Sequence, residues 1–179
     1  MTTRRDLVRA LERAVGSQFV LWKPEDLATY EMDGTIEKSM PYAVALPATT
    51  EEVAACVRAC RQLGVPVTPR GAGTGLSGGS VPAKRGVVIS TARMRQILEI
   101  DALNRLAVVE PGVANLELSK QAASYGLFYA PDPSSQQACT IGGNVAENAG
   151  GPPWLALGGA QDLALGIGGG TAGTAWRSA

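Results

Sequence analysis

Between Arg4 and Val15 the apolar residues Leu7, Val8, Leu11 and Val15 recur at helical spacing, and Gly16 is a natural stop, so the pattern predicts an amphipathic helix. From Trp22 to Lys38 no period is visible. Residues 41–46 (PYAVAL) predict a short strand closed by Pro47. Thr49 stands three before Glu52, a capping-box spacing, and opens a helix with Val53, Val57 and Cys60 on one face and Gly64 just past its end. Residues 65–68 follow as a second strand, which makes 41–68 a βαβ unit with parallel pairing and a right-handed crossover. Further strands are expected at 86–90, 97–100 and 105–109, the last two separated by turn residues 101–104. Residues 115–125 predict a helix capped by Gly126. The expected fold class is α+β: a small parallel βαβ lobe packed on a mixed sheet holding 87–90, 97–100 and 106–109.

Two loops interrupt this pattern. The first, 69–80 (PRGAGTGLSGGS), has five glycines in twelve positions, one arginine and no acid. Gly73, Gly75 and Gly78 match G-x-G-x-x-G, but a dinucleotide fingerprint needs a helix after the loop, and Val81, Pro82 and another strand follow instead. Gly73 to Gly78 also fits G-x-x-x-x-G, yet Gly79 and Ser80 stand where a phosphate loop wants Lys and Ser or Thr. Two readings remain. Gly71, Gly73, Gly75, Gly78 and Gly79 can take positive φ and turn successive N–H groups into a concave anion nest, with Thr74 and Ser77 adding hydroxyls. The alternative is a flexible surface hairpin. The second loop, 131–151 (PDPSSQQACTIGGNVAENAGG), has nearly the same ingredients, which favours two walls of one site.

Composition narrows the chemistry. The chain has 179 residues, enough for one domain or two small lobes. Sixteen basic and sixteen acidic residues cancel, so nothing in the overall charge points to nucleic acid or an anionic membrane. There is no histidine, which removes the usual proton carrier and the commonest metal ligand. Three cysteines without a secretory signal point to a reducing cytoplasm, and Cys56 and Cys60, one helical turn apart, read as packed apolar side chains rather than metal ligands. No apolar run is long enough to span a bilayer.

With PRGAGTGLSGG, VVEPGV at 108–113 and the 131–151 loop in that order, the region from about residue 41 to 151 closely resembles the FAD-binding domain of the FAD-linked oxidases, the vanillyl-alcohol-oxidase or p-cresol-methylhydroxylase type. Within that family it is most similar to the flavin subunit of glycolate oxidase and to the D-lactate dehydrogenases. The resemblance implies that Arg70, Gly71, Ala72, Gly73, Thr74, Gly75 and Leu76 contact the FAD pyrophosphate, mainly through main-chain N–H groups. It also implies that Pro133, Ser134, Thr140, Gly142, Gly143, Asn144 and Asn148 line the flavin from the other side. Arg70 has the alternative of a structural salt bridge, and Ser134 and Asn148 that of turn and cap duty. The absence of histidine excludes a histidyl–flavin bond, so FAD is expected to be non-covalent; Cys139 reads as a small buried residue.

The same resemblance implies a small 2-hydroxy-acid substrate, partner subunits for electron transfer, and substrate groups in a C-terminal cap domain that this chain stops before. An FAD-binding portion that is inactive alone is therefore expected; a non-enzymatic remnant or binding module, or the flavin subunit of another FAD-linked oxidoreductase, is the alternative. The organisation expected is a helical lead over 1–40, a partial FAD-binding domain over 41–153, and a Gly/Ala-rich tail over 154–179. Relatives continue here with a strand similar to LEVVLPDG, and one back-translation of 168–173, shifted by a base, encodes Glu-Val-Val-Leu-Pro. The tail thus reads as partly out of frame, with 166–173 too glycine-rich to form a strand.

Overall fold

The computed structural model describes residues 3–151, 158–170 and 176–178. The chain divides into two compact units, Met1–Arg93 with Gly166–Ala179, and Met94–Leu165.

The first unit begins with α1 (Arg4–Val15), where the Thr3 hydroxyl accepts from the Asp6 N–H while the Asp6 carboxylate accepts from Thr3. Its buried stripe is the one the spacing predicts: Leu7, Val8, Leu11 and Val15. After it come β1 (Val20–Leu21), the single turn α2 (Pro24–Leu27), β2 (Ala43–Ala45), α3 (Thr50–Gln62), β3 (Val67–Arg70) and β4 (Val87–Ser90). At the start of α3 the Thr49 hydroxyl caps the Glu52 N–H at 3.2 Å, but Glu52 returns its bond to Ala48 N rather than to Thr49.

The sheet order is β1-β2-β4-β3, with β1 antiparallel and β2, β4 and β3 parallel. Strand pairing within the βαβ unit therefore differs from the expectation. β2 and β3 are joined through α3 but do not touch, because β4 lies between them and pairs with both: Val44 and Thr68 are each opposite Val88. An all-apolar VVI run, buried on both faces, is the strand that belongs in the middle of a covered parallel sheet. Ala43, Ala45, Val87 and Ile89 face α1 and the Cys56–Cys60 edge of α3, while Val44 and Val88 point the other way onto Leu27. Leu11, Cys56 and Cys60 are fully buried, and a buried Leu contributes about 2 kcal/mol of transfer free energy.

The second unit holds β5 (Ile97–Asp101) and β6 (Leu106–Val109), α4 (Asn115–Ala123), α5 (Ile141–Ala146) and the turn α6 (Ala160–Leu163). β5 and β6 form a separate two-stranded antiparallel sheet; the mixed sheet expected to unite them with 87–90 does not form, since β4 is taken by the parallel sheet. The small core is Val113, Leu118 and Ile141. The tail also departs from expectation. Gly168–Gly170 forms β7, paired antiparallel with β8 (Trp176–Ser178), so backbone pairing outweighs glycine's low strand propensity there; residues 171–175 and 179 lie outside the described residues.

Candidate functional site

The first glycine loop is the connection from β3 to β4. Adjacent parallel strands need a crossover of about a dozen or more residues, usually carrying a helix; here residues 71–86 cross over without one. Its polar groups are unevenly used. Gly75 O accepts from Gly34 N at 3.0 Å, Gly78 O accepts from Val81 N at 3.1 Å, and Ser80 O accepts from Arg70 Nη1 at 3.4 Å. The N–H groups of Ala72, Gly73, Thr74, Gly75 and Leu76 donate to no acceptor among the described residues. Five successive donors left over beside tethered carbonyls make a donor-rich strip, the arrangement that binds anions. Of the five glycines read as able to invert, only Gly73 and Gly78 have positive φ, at 71° and 78°.

Arg70, at the end of β3, turns back under this strip. It is 9% exposed, donates through Nη1 to Met32 O at 2.8 Å, and lies 5.6 Å from the Tyr30 ring centre. Burial pulls its guanidinium below the ordinary value, opposed by Tyr30 and the Asp33 carboxylate. Gly73 rests directly on it: a Cβ there would lie 2.2 Å from Arg70 Nη2. Arg70 thus braces the loop from within. Asp33 is 6% exposed; its Oδ1 accepts from the Thr35 N–H at 2.8 Å and the Thr35 hydroxyl at 2.7 Å, while Oδ2 has no partner. Burial works against its ionisation, yet the Thr35 donors, helped by the nearby Ser80 N–H, hold its carboxyl below the ordinary value. This part of the site lies in the stretch that shows no period. The Asp33-Gly34 dipeptide, a turn signal, is the only mark that sequence offers for it.

The second loop is built differently, despite its similar composition. Thr140 caps α5 by accepting from Gly143 N at 3.3 Å, so the TIGGN stretch is helical rather than loop. Gly142 N donates to Pro111 O at 2.9 Å, and Asp132 N to Gly150 O at 2.9 Å, which closes the loop on itself. Asn148 has φ 50° and accepts from Gln161 N at 3.0 Å, which is cap duty. Asn144 is 2% exposed with Nδ2 unpartnered beside Tyr129 and Cys139, whose hydroxyl and thiol are both pushed up by burial. Pro133 is half-buried and Ser134 is exposed. Asn115 was not singled out by sequence as a site residue: fully buried, it donates through Nδ2 to Pro131 O at 2.8 Å and fixes where the loop begins.

Residues 41–168 match the family described as FAD binding domain. The chain belongs to that family. FAD is the cofactor of that domain, and the strip at 72–76 is chemically suited to an anion such as its pyrophosphate, with N–H donors that meet no acceptor among the described residues. This FAD binding domain is 47% identical over 156 residues to the glycolate oxidase subunit GlcD of Escherichia coli (strain K12), covering 87% of this chain and 31% of that one. It is 46% identical over 114 residues to the D-lactate dehydrogenase of Anaerostipes hadrus, covering 64% of this chain and 24% of that one. The solved p-cresol methylhydroxylase with substrate bound superposes with a TM-score of 0.68 at 24% identity, over 81% of this chain and 29% of that one, which establishes the shared fold. The chain thus spans about a third of the length of GlcD and is the FAD-binding domain of an FAD-linked oxidoreductase related to glycolate oxidase and D-lactate dehydrogenase. Among the described residues no helix is long and apolar enough to cross a membrane.

Proposed function

We propose that this chain is the cofactor-holding part of a cytoplasmic oxidoreductase acting on a small 2-hydroxy acid of the glycolate or D-lactate type. The observation that carries the reading is the row of N–H groups from Ala72 to Leu76 that meet no acceptor among the described residues, on a loop braced by Arg70. FAD, when bound, supplies a two-electron acceptor for the hydride on the substrate α-carbon. The residues of this chain do the holding. Backbone donors at 72–76 would hold the pyrophosphate, and Arg70 would keep them aligned without a reorganisation cost at binding. Pro133, Ser134, Thr140, Gly142, Gly143, Asn144 and Asn148 are the residues that would line the flavin ring. No histidine is available to take the hydroxyl proton. We therefore place the proton acceptor and the carboxylate-binding cations outside this chain, in further sequence or a partner subunit, so that the chain binds FAD weakly and does not turn over.

The test is a titration of the purified chain with FAD, followed by its flavin spectrum, and an assay with glycolate and D-lactate in the presence of an acceptor dye. Bound, bleachable flavin without turnover is the expected result. Failure to bind any flavin would sink the cofactor-holding role, and dye reduction by the chain with either acid would overturn the division of labour.

A further inference from the structure

The family match begins at residue 41, yet the structure ties the segment before it to the loop proposed above to hold the FAD pyrophosphate. Four contacts converge. Gly34 N donates to Gly75 O at 3.0 Å, in the middle of the donor strip. Arg70 Nη1 bridges Met32 O and Ser80 O, one on each side. The Arg70 guanidinium lies over the Tyr30 ring. Asp33 sits between these, buried, with Oδ1 engaged by Thr35 and Oδ2 without a hydrogen bond, although the Ser80 N–H is close enough to favour its charge. A buried carboxylate oxygen without a donor is costly in a fold unless a positive field offsets it, and here Arg70 and the loop N–H dipoles are that field. Gly34 is as constrained as Asp33 is: a Cβ on it would stand 2.8 Å from Gly75 O and 2.8 Å from Leu76 Cδ2.

We infer that Asp33 and Gly34 are positioning residues for the pyrophosphate of FAD, acting through Gly75, Ser80 and Arg70 to hold the 72–76 donors in register. Asp33 touches no ligand. Its carboxylate fixes the guanidinium and the exit of the loop, and Gly34 pins the loop at its centre by donating its N–H to the Gly75 carbonyl. This inference rests on the reading of 72–76 as the FAD-binding strip. It adds Asp33 and Gly34 to the site, from a stretch that composition and period assign to a lead segment.

Asp33→Asn separates this role from mere folding. The amide keeps an oxygen for Thr35 but sets NH2 beside Arg70 and the Ser80 N–H, donor against donor, with the charge gone. Two readouts are taken on the full chain: affinity for FAD, ADP and riboflavin, and NMR exchange rates of the Gly34 and Val81 amides without ligand. Asp33→Asn and Gly34→Ala are expected to weaken FAD and ADP by about tenfold and riboflavin, which has no diphosphate, much less, and to speed exchange of the amide at position 34 by about tenfold while the β4 amides keep their rates. Asp101→Asn, which removes an equivalent turn carboxylate bonded to Asn104 in the other unit, is the control that leaves both readouts unchanged. Equal losses for all three ligands, or FAD affinity and Gly34 exchange within about twofold of the original chain, would overturn the inference. If the original chain binds neither FAD nor ADP, the FAD-strip reading fails, and Gly34 exchange alone then decides whether Asp33 braces the loop.

Discussion

Replacing Gly73 by alanine is the most informative single perturbation, because two separate costs fall on one methyl group. The residue has φ 71°, where an L side chain costs about 1 to 2 kcal/mol. Its Cβ would lie 2.2 Å from Arg70 Nη2 and 2.4 Å from Cζ. A long side chain could ordinarily swing aside at little cost. Arg70 is held instead by Met32 O and Ser80 O and is 9% exposed, so moving it breaks hydrogen bonds from a charged donor, at about 2 kcal/mol or more in total. The sum, about 3 to 4 kcal/mol, should lower the Tm by roughly 6 to 16 °C for a chain of this size. Gly75→Ala is the matched control two residues on: its φ is not positive and nothing lies within 4 Å of the added Cβ. Thermal melting followed by circular dichroism, with FAD titration of each variant, measures both effects. Gly73→Ala should lose both stability and affinity, and Gly75→Ala should keep its stability. Equal behaviour of the two variants would refute the placement of Arg70 beneath the loop. It also follows that a Gly73/Gly75 double valine variant acts mainly through Gly73.

Two further outcomes follow from buried groups. Burial, then the neighbouring Cys60 and Glu52, pushes the Cys56 thiol from 9.0 to about 12, and burial pushes Cys60 to about 11. The unfolded chain ionises both near the ordinary value, so this contribution is whole below about pH 9 and is lost as pH rises toward 11 to 12; alkaline melts should fall in that window, and native iodoacetamide labelling at pH 8 should be far slower than labelling in urea. Labelling of both thiols in the native chain at the unfolded rate would contradict their burial. Asn115→Ala leaves Pro131 O without its buried donor and should cost about 1 to 3 kcal/mol in urea unfolding; a change under about 0.5 kcal/mol would mean that the amide does not anchor the second loop.

Local elements were legible where one signal dominates. The stripe Leu7, Val8, Leu11, Val15 and the Thr49 cap are short-range facts, and α1 and α3 stand where the spacing puts them. The α+β class and the FAD-binding family also follow from the sequence, because the glycine loop and its two companion motifs are specific in order and composition. Strand neighbours were not legible. Nothing in Val87–Ser90 says that it enters between β2 and β3 rather than joining β5, since a fully buried strand has no alternation to orient it. The brace at Tyr30, Met32, Asp33 and Gly34 escaped for a related reason: its residues act through main-chain carbonyls and one carboxylate, and such contacts leave no period. The second loop resembles the first in composition but differs in construction, its TIGGN stretch being helical. Its Gly142 lets α5 pack on Pro111, whereas the first loop leaves N–H groups that meet no acceptor among the described residues.

The insertion of β4 has a consequence for the order of assembly. β2 and β3 are separated in the sheet by a strand that is made after both, so neither can form its parallel ladder until residue 90 has left the ribosome. Closing that long-range contact is entropically slow, and it draws the 71–86 crossover into shape in the same step. A nascent chain ending before β4 therefore holds helices and an unpaired strand edge but no anion cradle. On the proposed reading of 72–76, ligand competence and completion of the sheet become one event, and FAD, by favouring the crossover in its closed form, would act as a folding ligand for the parallel sheet.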